Sequence, residues 1–485
     1  MGRLLPLLGA LALSLGCATV EATVFPYTSI CQQINGNLTS ASDVIFPIQA
    51  VSYQQQTQHW FLSSDQNPSC VVRVGSAQDI SRVLQIIRDT QTPFAVQSGG
   101  HASNPGFSST TGVHISLSLL DQVVLSPDKK TVEIGFGQTW ADVYDKLEPH
   151  GVNVVGGRVV GPGIGGFTLG GGYSWKTNQF GLTCDTVELF NIVLPNGTIT
   201  TASQSYNQDL FFALKGGKNR FGIVTSAVLR THPQSRVWGG LRIYPSTSIP
   251  ALLNATRLFQ TENTDPKAGL ITTLEGGALG TTALVLMFYD GPEKPPIFDL
   301  FDGIPFLVSG TLPNRKWTNF IASFPAELKL NLRGTFASVS TSTLTTRFLD
   351  AIKNETDSIG LTKGLKTGNT ISYDIEPFTN YGVHATDSAF PHADSPLPLN
   401  LYFSWTSAAH DEYWHNRMKQ SLAMLKQVAV EEGIYSDSFT SYPNYAISGT
   451  TAEELYGAAN AERLREIRDI YDPARVMDLA GGFDI

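Results

Sequence analysis

Residues 153–175, NVVGGRVVGPGIGGFTLGGGYSW, form the glycine-rich centre of the chain and decide how its fold is interpreted. Within them, Gly161-Pro-Gly-Ile-Gly-Gly166 matches the dinucleotide-binding pattern G-x-G-x-x-G. That pattern binds a diphosphate only where a helix begins and offers its N-terminus. Three consecutive glycines follow at 170–172, and glycine is a poor helix former, so we expect no helix here. We favour backbone pressed against a flat ligand, and glycine turns without a ligand are the alternative.

A second glycine cradle precedes the first one in the sequence. Residues 92–106, TPFAVQSGGHASNPG, read as a short strand that breaks into Ser98-Gly-Gly-His101. Adjacent glycines let backbone N–H groups approach an anion or a ring closely. A third glycine turn at Gly222 leads into another predicted strand. Three such cradles favour a bound ligand over simple turns.

The composition limits the classes of partner and the compartment. The chain has 485 residues, 42% hydrophobic, and a net charge of −9, which argues against nucleic acid or an anionic membrane. Residues 1–22 have one arginine, a short apolar run and then small residues, as in a secretory signal peptide, with a buried helix as the alternative. We therefore expect a secreted or secretory-pathway protein that is glycosylated at the sequon asparagines Asn37, Asn196, Asn254 and Asn354.

Cysteine usage is consistent with an oxidising compartment. Cys17 lies within the predicted signal peptide, which leaves Cys31, Cys70 and Cys184. The simplest arrangement is one disulfide between Cys31 and Cys70, which flank the first strand-like segments, and a reduced, buried Cys184. Three scattered cysteines predict no metal site.

Taken together, the motifs are recognisable. SGGH, VVGGRVVGPGIGGFTLGGGYSW, FGLTCDTVELFNIVLPNG, DLFFALKGGKNRFGIVT and a C-terminal YPNYA resemble, in the same order, the FAD-linked oxidases of the berberine-bridge-enzyme-like group in the vanillyl-alcohol-oxidase superfamily. The resemblance implies an α+β fold with a two-part PCMH-type FAD-binding domain and an antiparallel-sheet substrate domain covered by helices. The expected segments are the signal peptide at 1–22, an N-terminal segment at 23–66, the FAD-binding domain at 67–237, the substrate domain at 238–440 and a C-terminal segment at 441–485 that returns to the FAD-binding domain.

The resemblance also assigns the cofactor site. It implies a single covalent bond from His101 to the 8α-methyl of FAD. Many relatives attach FAD a second time through a cysteine, and that position is Val159 here, which cannot form the bond. Pro162 falls near where relatives control oxygen approach. The other expected FAD contacts are Val96, Ser98, Gly99, Gly100, Ala102, Ser103, Gly161, Gly165, Gly166, Gly171, Gly172, Gly222, Ile223 and Val224.

Proton chemistry is expected from three residues. Tyr445, in Tyr-Pro-Asn-Tyr, matches a tyrosine that relatives place near the reacting centre, and a lowered pKa would let its phenol accept a proton. Asp374 and Glu376 alternate on a predicted strand and share one face, although a solvated face is the alternative. Asn400 and Tyr402 on the next strand are expected to line the substrate pocket. Trp175 is expected either to line it or to fill the core, and His392 is expected to be structural.

The sequence therefore predicts a secreted, monomeric FAD-dependent oxidase. It would take hydride from a substrate C–H bond next to oxygen or nitrogen, with O2 as the expected acceptor and peroxide as product. The substrate is a small molecule, either a secondary metabolite or a saccharide. A flavin-dependent cyclase or other non-redox enzyme, and a non-catalytic flavin-carrying glycoprotein, are the alternatives.

Overall fold

The computed structural model describes residues 25–323 and 331–485. The predicted signal peptide and Cys17 lie outside the described residues. The strands are β1 (Asp43–Ile45), β2 (Cys70–Arg73), β3 (Phe94–Gln97), β4 (Val113–Ser116), β5 (Val123–Leu125), β6 (Thr131–Gly135), β7 (Val152–Asn153), β8 (Val187–Val193), β9 (Ile199–Ser203), β10 (Ile223–Arg230), β11 (His232–Pro233), β12 (Val237–Tyr244), β13 (Ala268–Glu275), β14 (Thr282–Tyr289), β15 (Val308–Ser309), β16 (Leu312–Arg315), β17 (Arg333–Thr341), β18 (Gly368–Ile375) and β19 (Leu397–Trp405). The helices are α1 (Thr28–Asn35), α2 (Ala50–Thr57), α3 (Ala77–Thr90), α4 (Trp140–Leu147), α5 (Ile164–Leu169), α6 (Thr177–Phe180), α7 (Gln208–Leu214), α8 (Ile249–Glu262), α9 (Trp317–Ile321), α10 (Thr346–Thr362), α11 (Asp411–Glu431) and α12 (Ala452–Tyr471).

The N-terminal half contains two sheets that support the glycine loops. The first has the order β1-β2-β4-β3, in which β2, β4 and β3 are parallel. Parallel neighbours need a crossover, and α3 provides it after Ser76, whose hydroxyl accepts the Asp79 N–H at 3.1 Å as an N-cap. The second sheet, β5-β6-β10-β8-β9, is antiparallel and includes a hairpin between β8 and β9 that turns at Asn196-Gly197, a sequence typical of tight hairpin turns. Loop 98–103 leaves the first sheet at the end of β3.

The C-terminal half contains one large antiparallel sheet. Its order is β15-β12-β14-β13-β18-β19-β17, with β16 also pairing with β12. Helices α8, α10 and α11 bury apolar side chains such as Phe259, Ile352 and Leu425 in the hydrophobic core of this half. The predicted antiparallel sheet with covering helices is therefore present. The other face of the sheet is directed towards the glycine loops.

Residues near both ends of the described chain pack against the N-terminal sheets. Cys31 and Cys70 form the predicted disulfide, and Cys184 is buried outside any disulfide. Arg220 donates from Nε to the Phe483 carbonyl at 2.7 Å, and β3 forms a bridge to Ala480.

The domain boundaries given above stay predictions. In the ranges 25–323 and 331–485, no helix has the length and apolar character needed to cross a membrane.

The absence of a helix in the glycine-rich centre was wrongly predicted. Helix α5 begins at Ile164, directly after Gly163, and ends at Leu169, with Gly170 as its C-cap. Its six residues include Ile164, Phe167 and Leu169, which pack against the hydrophobic core of the N-terminal half. The triple glycine therefore ends the helix rather than preventing it, because tertiary packing outweighs low helix propensity over such a short span.

Candidate active site

A cavity of about 460 Å³ lies between the glycine loops and the large sheet. One side consists of residues from loops 98–103 and 161–166, which we call the glycine cradle. The opposite side consists of side chains from the large sheet. Segments from both ends of the described chain complete the wall. Its residues include Trp60, Val96, Ser98, Gly99, Gly100, His101, Ala102, Ser103, Arg158, Val159, Pro162, Gly163, Gly165, Gly166, Lys218, Gly222, Ile223, Val224, Ile271, Thr273, Leu286, Phe336, Asp374, Glu376, Asn400, Asn444, Tyr445 and Phe483.

The two loops of the glycine cradle pack backbone against backbone. A Cβ on Gly99 would overlap the backbone nitrogen of Gly163, and a Cβ on Gly163 would overlap that of Gly99. The Ser98 hydroxyl donates to the Phe136 carbonyl at 2.6 Å and accepts the Gly165 N–H at 3.1 Å. Glycine is therefore required at 99 and 163 for close approach. Gly166 differs, because a Cβ there would meet nothing within 4 Å.

Most of the predicted FAD-contact residues line the cavity, but three glycines do not. Gly161, Gly171 and Gly172 lie outside its wall. Each has a positive φ, at +99°, +108° and +92°. These glycines therefore fit the turns on either side of α5, where left-handed backbone favours glycine. The sequence pattern could not separate glycines that face a ligand from glycines that turn the chain.

His101 is held by a residue that the sequence reasoning missed. Its imidazole stacks on the Trp60 indole, with ring centroids 5.1 Å apart and planes inclined by 13°. The backbone N–H of Trp60 donates to the Gly100 carbonyl at 2.9 Å. The N-terminal segment thus fixes both the backbone beside His101 and the orientation of its ring. No local motif marks Trp60.

Three ionisable side chains form a buried ionic cluster, defined as Arg158, Glu376 and Tyr445. Arg158 binds Glu376 through two hydrogen bonds, Nη1 to Oε2 at 2.7 Å and Nη2 to Oε1 at 2.9 Å. Nη2 also donates to the Tyr445 hydroxyl at 2.6 Å, and that hydroxyl donates to Glu376 Oε1 at 3.2 Å. Glu376 is 3% exposed. The alternative of a solvated strand face is therefore wrong for Glu376.

Arg158 is not among the residues predicted from the sequence, although one feature of the sequence points to it. It is the single charged residue within the glycine-rich stretch 153–175. Trp175, which was considered for the substrate pocket, is buried instead and donates from Nε1 to the Arg158 carbonyl at 2.9 Å. It packs on Phe288 and Phe320. Trp175 therefore fills the core behind Arg158 and lies outside the wall of the main cavity.

Burial and charge act in opposite directions on the ionic cluster. Burial raises the pKa of the Glu376 carboxyl above its ordinary value, while the Arg158 guanidinium lowers it. Burial also raises the pKa of Tyr445 well above the value of an exposed phenol, with Arg158 opposing it. The expected lowered pKa of Tyr445 is therefore wrong, because desolvation outweighs the nearby positive charge. Tyr445 is protonated at rest and hydrogen-bonded to a proton acceptor.

A polar row crosses three neighbouring strands of the large sheet, formed by Thr273, Asp374 and Asn400. These residues are paired in register across β13, β18 and β19. Asp374 accepts from the Thr273 hydroxyl at 2.7 Å and from Asn400 Nδ2 at 2.9 Å. Burial raises the pKa of Asp374. Asn400 Oδ1 is buried without a hydrogen-bond partner in the described chain, and Asn400 lines the cavity.

Two other predicted residues lie behind the wall. Tyr402 packs on Trp60 and Phe336 at centroid distances of 5.6 and 5.3 Å, and it supports the wall from outside the cavity. His392 is structural, as expected. Its Nε2 pairs with Asp185 at 2.8 Å and its Nδ1 with the Phe390 carbonyl at 2.8 Å, away from the cavity.

Comparison with known proteins fits this geometry. Residues 68–203 match the FAD binding domain family. An FAD-dependent monooxygenase of Cochliobolus heterostrophus is 32% identical over 434 residues, which cover 84% of this chain and 83% of that protein. The chain belongs to the berberine-bridge-enzyme-like family of FAD-linked oxidoreductases. A second FAD-dependent monooxygenase, from Arthrobotrys oligospora, is 43% identical over 246 residues, or 49% of this chain and 47% of that protein.

Solved structures place the berberine-bridge-enzyme-like fold over nearly the whole chain. A BBE-like protein of Physcomitrella patens superimposes with a TM-score of 0.78 at 18% identity, covering 93% of this chain and 97% of that one. Glucooligosaccharide oxidase from Acremonium strictum gives 0.75 at 20% identity, covering 92% and 97%, and is described with a 6-S-cysteinyl, 8α-N1-histidyl FAD. The predicted family and α+β fold class are confirmed, as is the assignment to FAD-dependent oxidoreductases.

The residues of the cavity fit FAD. The glycine cradle leaves backbone accessible at Gly166, as close contact with a dinucleotide requires. His101 and the buried ionic cluster line the same cavity as the cradle. FAD binding by this berberine-bridge-enzyme-like protein is therefore supported by both the family match and the shape of the site.

Proposed function

We propose that this protein is a secreted oxidase that removes a proton and a hydride from a small molecule carrying a C–H bond next to oxygen or nitrogen. The ionic cluster supports this proposal, because it presents a hydrogen-bonded phenol, a carboxylate and a guanidinium to the cavity that the glycine cradle lines. The chemistry that FAD supplies when bound is hydride acceptance followed by reduction of dioxygen to hydrogen peroxide.

Tyr445 and Glu376 act together in the proposed proton transfer. The Tyr445 oxygen accepts the proton from the substrate O–H or N–H group while its own proton passes to Glu376 Oε1, 3.2 Å away. Arg158, 2.6 Å from the Tyr445 oxygen, stabilises the negative charge that develops on it during the transfer. Asp374 is hydrogen-bonded within the polar row, so its proposed role is to position Asn400 rather than to accept the proton.

The cofactor is held by a single covalent bond from His101 in this proposal. Val159 occupies the position expected for a second link, and valine has no nucleophilic atom. Ser98, Gly99, Gly100, Ala102, Ser103, Gly165, Gly166 and residues 222–224 are the proposed noncovalent contacts. Acid precipitation tests the link: FAD absorbance should stay in the wild-type pellet and move to the supernatant in His101→Ala.

The proposed substrate is a compact molecule that is largely apolar and carries a hydroxyl or amino group. Ile271, Leu286 and Phe336 give the large sheet an apolar surface at the cavity. The Thr273 hydroxyl is already donated to Asp374, and Asn400 Oδ1 is the acceptor left for a substrate donor. An oligosaccharide has many hydroxyl groups and would need more polar partners, so we favour a secondary metabolite over a saccharide.

A substrate panel with two readouts tests the reaction. Hydrogen peroxide formed in a one-to-one ratio with oxidised product, without ¹⁸O from ¹⁸O2 in that product, supports an oxidase. Incorporation of ¹⁸O would instead assign a monooxygenase, the activity in the names of the relatives above. Tyr445→Phe should keep its FAD and lose at least about 100-fold in turnover.

Secretion and glycosylation are part of the proposal. Asn37, Asn196, Asn254 and Asn354 are all exposed, and the disulfide between Cys31 and Cys70 suits an oxidising compartment. Removal of N-glycans from protein recovered from culture medium should lower its mass, and Asn→Gln changes at these four positions should abolish that shift. Recovery of all the protein inside the cells would contradict secretion.

A further inference from the structure

Lys218 places an amino group on the cavity wall that the proposed reaction does not use. We infer that Lys218 supplies the positive charge that binds a negatively charged part of FAD. This inference rests on the proposed placement of FAD in the cavity. It concerns how tightly the cofactor is held and is independent of the proton transfer by Tyr445 and Glu376.

Lys218 has an unusual backbone conformation, and its side chain contacts helix α5. Its φ is +64°, in the left-handed region that lysine rarely adopts. Its N–H donates to the carbonyl of Leu169, the last residue of α5, at 3.0 Å. Its Nζ donates to the Gly166 carbonyl at 3.3 Å and to Asn444 Oδ1. A Cβ at Gly170 would lie 2.5 Å from Nζ, so glycine at 170 leaves room for the amine.

Lys218 is a half-buried cation without a carboxylate partner in the described chain. Both acceptors of its Nζ are neutral. Lys176 and Arg158 differ, because they pair with Asp290 at 2.6 Å and with Glu376 at 2.7 Å. Lys215 is also buried and donates to the neutral Thr386 hydroxyl at 2.8 Å, but it lies outside the cavity wall. Burial accordingly lowers the pKa of Lys218 to about 7. A negative charge that approaches a desolvated amine stabilises its charged form.

FAD brings negative charge to this cavity. Its diphosphate is doubly ionised, and the pyrimidine carbonyls of its ring system carry partial negative charge. Arg158 is already matched by Glu376, which leaves Lys218 as the cation of the described wall without an acidic partner. An anion beside Nζ would restore the full positive charge of the amine and form a charge-assisted hydrogen bond.

A purely structural role for Lys218 makes different predictions. The amine donates to the Gly166 carbonyl within α5, and the backbone N–H donates to the Leu169 carbonyl at its end, so a structural role would be to hold that helix. If that were its only role, Lys218→Gly would destabilise the chain and leave FAD affinity unchanged. The cofactor role predicts the opposite pair of results, because glycine suits the +64° backbone and removes an uncompensated charge.

The test compares FAD binding by two full-length chains. Both carry His101→Ala so that FAD exchanges, and one also carries Lys218→Gly. FAD is titrated into each flavin-free protein and followed by quenching of its fluorescence. We expect Lys218→Gly to raise the Kd for FAD by at least about tenfold and to leave the melting temperature of the flavin-free chain equal or higher. Lys215→Met, which removes a buried lysine outside the cavity wall, should leave the Kd unchanged.

Titrations with ADP and with riboflavin assign the charge that Lys218 binds. A loss confined to ADP places Lys218 at the diphosphate, and a loss confined to riboflavin places it at the ring system. An unchanged Kd for FAD in Lys218→Gly would overturn this inference while leaving the FAD site intact. Failure of the reference chain to bind FAD at all would overturn the proposed site together with this inference.

Discussion

The glycine cradle and the ionic cluster line one cavity, yet they are built in different ways. The cradle uses backbone atoms from two short contiguous segments, and glycine serves there by lacking a side chain. The cluster uses charged side chains from distant positions: Arg158 and Glu376 are 218 residues apart, and Arg158 and Tyr445 are 287 apart. The cradle is therefore suited to contact with a large cofactor, and the cluster to the proton transfer proposed above.

Replacing Arg158 should lower the stability most, because it disrupts the ionic cluster while leaving the glycine cradle intact. Arg158→Met leaves Glu376 buried without its counter-charge, which should lower the free energy of unfolding by about 3–5 kcal/mol. Urea denaturation measures this change. Arg158→Met/Glu376→Gln removes both charges and should recover much of the loss. A single variant as stable as wild type would show that the pair is not desolvated.

Gly99→Ala should break the cradle and spare the charged wall. The new Cβ would overlap the backbone nitrogen of Gly163, so the loops must separate, at a cost of about 1–3 kcal/mol. The fraction of purified protein that carries FAD should fall with it. Gly364→Ala is the matched control, since its Cβ also has open space and the residue lies outside the cavity wall. Equal destabilisation by the two variants would contradict the close packing at Gly99.

Lowering the pH should change the free energy of unfolding in opposite directions through His114 and through the carboxylates Asp374 and Glu376. Burial lowers the pKa of His114, which is hydrogen-bonded to Gln97 beneath the cradle, to about 3, so the unfolded chain binds the proton first. Stability should fall below pH 6.5, by up to about 1.4 kcal/mol per pH unit from this residue. Raised pKa values at Asp374 and Glu376 act oppositely, because the folded chain takes up those protons first.

Urea denaturation between pH 7.5 and 5 measures the two contributions. His114→Gln should flatten the decline, and the difference between the variant and wild type isolates the cradle side. Parallel curves for the two proteins would show that His114 titrates alike in the folded and unfolded chains.

The smallest effect should come from the polar row. Thr273→Val removes the hydroxyl that donates to Asp374 at 2.7 Å and should cost about 1 kcal/mol. Retention of FAD should be unchanged, because Thr273 belongs to the sheet rather than to the cradle. Ser81→Ala, which removes a half-buried hydroxyl far from the cavity that donates to the Gly197 carbonyl, provides a comparison for an ordinary hydrogen bond. Loss of FAD from Thr273→Val would show that the two walls are coupled.

The same contrast explains what the sequence could predict. The cradle, the hairpin at Asn196-Gly197 and the crossover helix α3 each depend on local residues, so their patterns are visible in the sequence. Asp374, Glu376 and Tyr445 were found through strand alternation and family motifs. Arg158 and Trp60 could not be assigned, because their roles exist only once segments hundreds of positions apart meet. The lowered pKa expected for Tyr445 failed for a related reason, since burial is a property of the folded chain.

The contribution of Trp60 at one end and of Asn444, Tyr445 and Phe483 at the other has a consequence for biogenesis. A ribosome releases residue 60 long before residue 483 is made, so a nascent chain cannot enclose the cavity. The enclosed site can therefore form only after the C-terminal residues have been made and have docked onto the folded N-terminal sheets. FAD is then needed where folding finishes, rather than where translation begins.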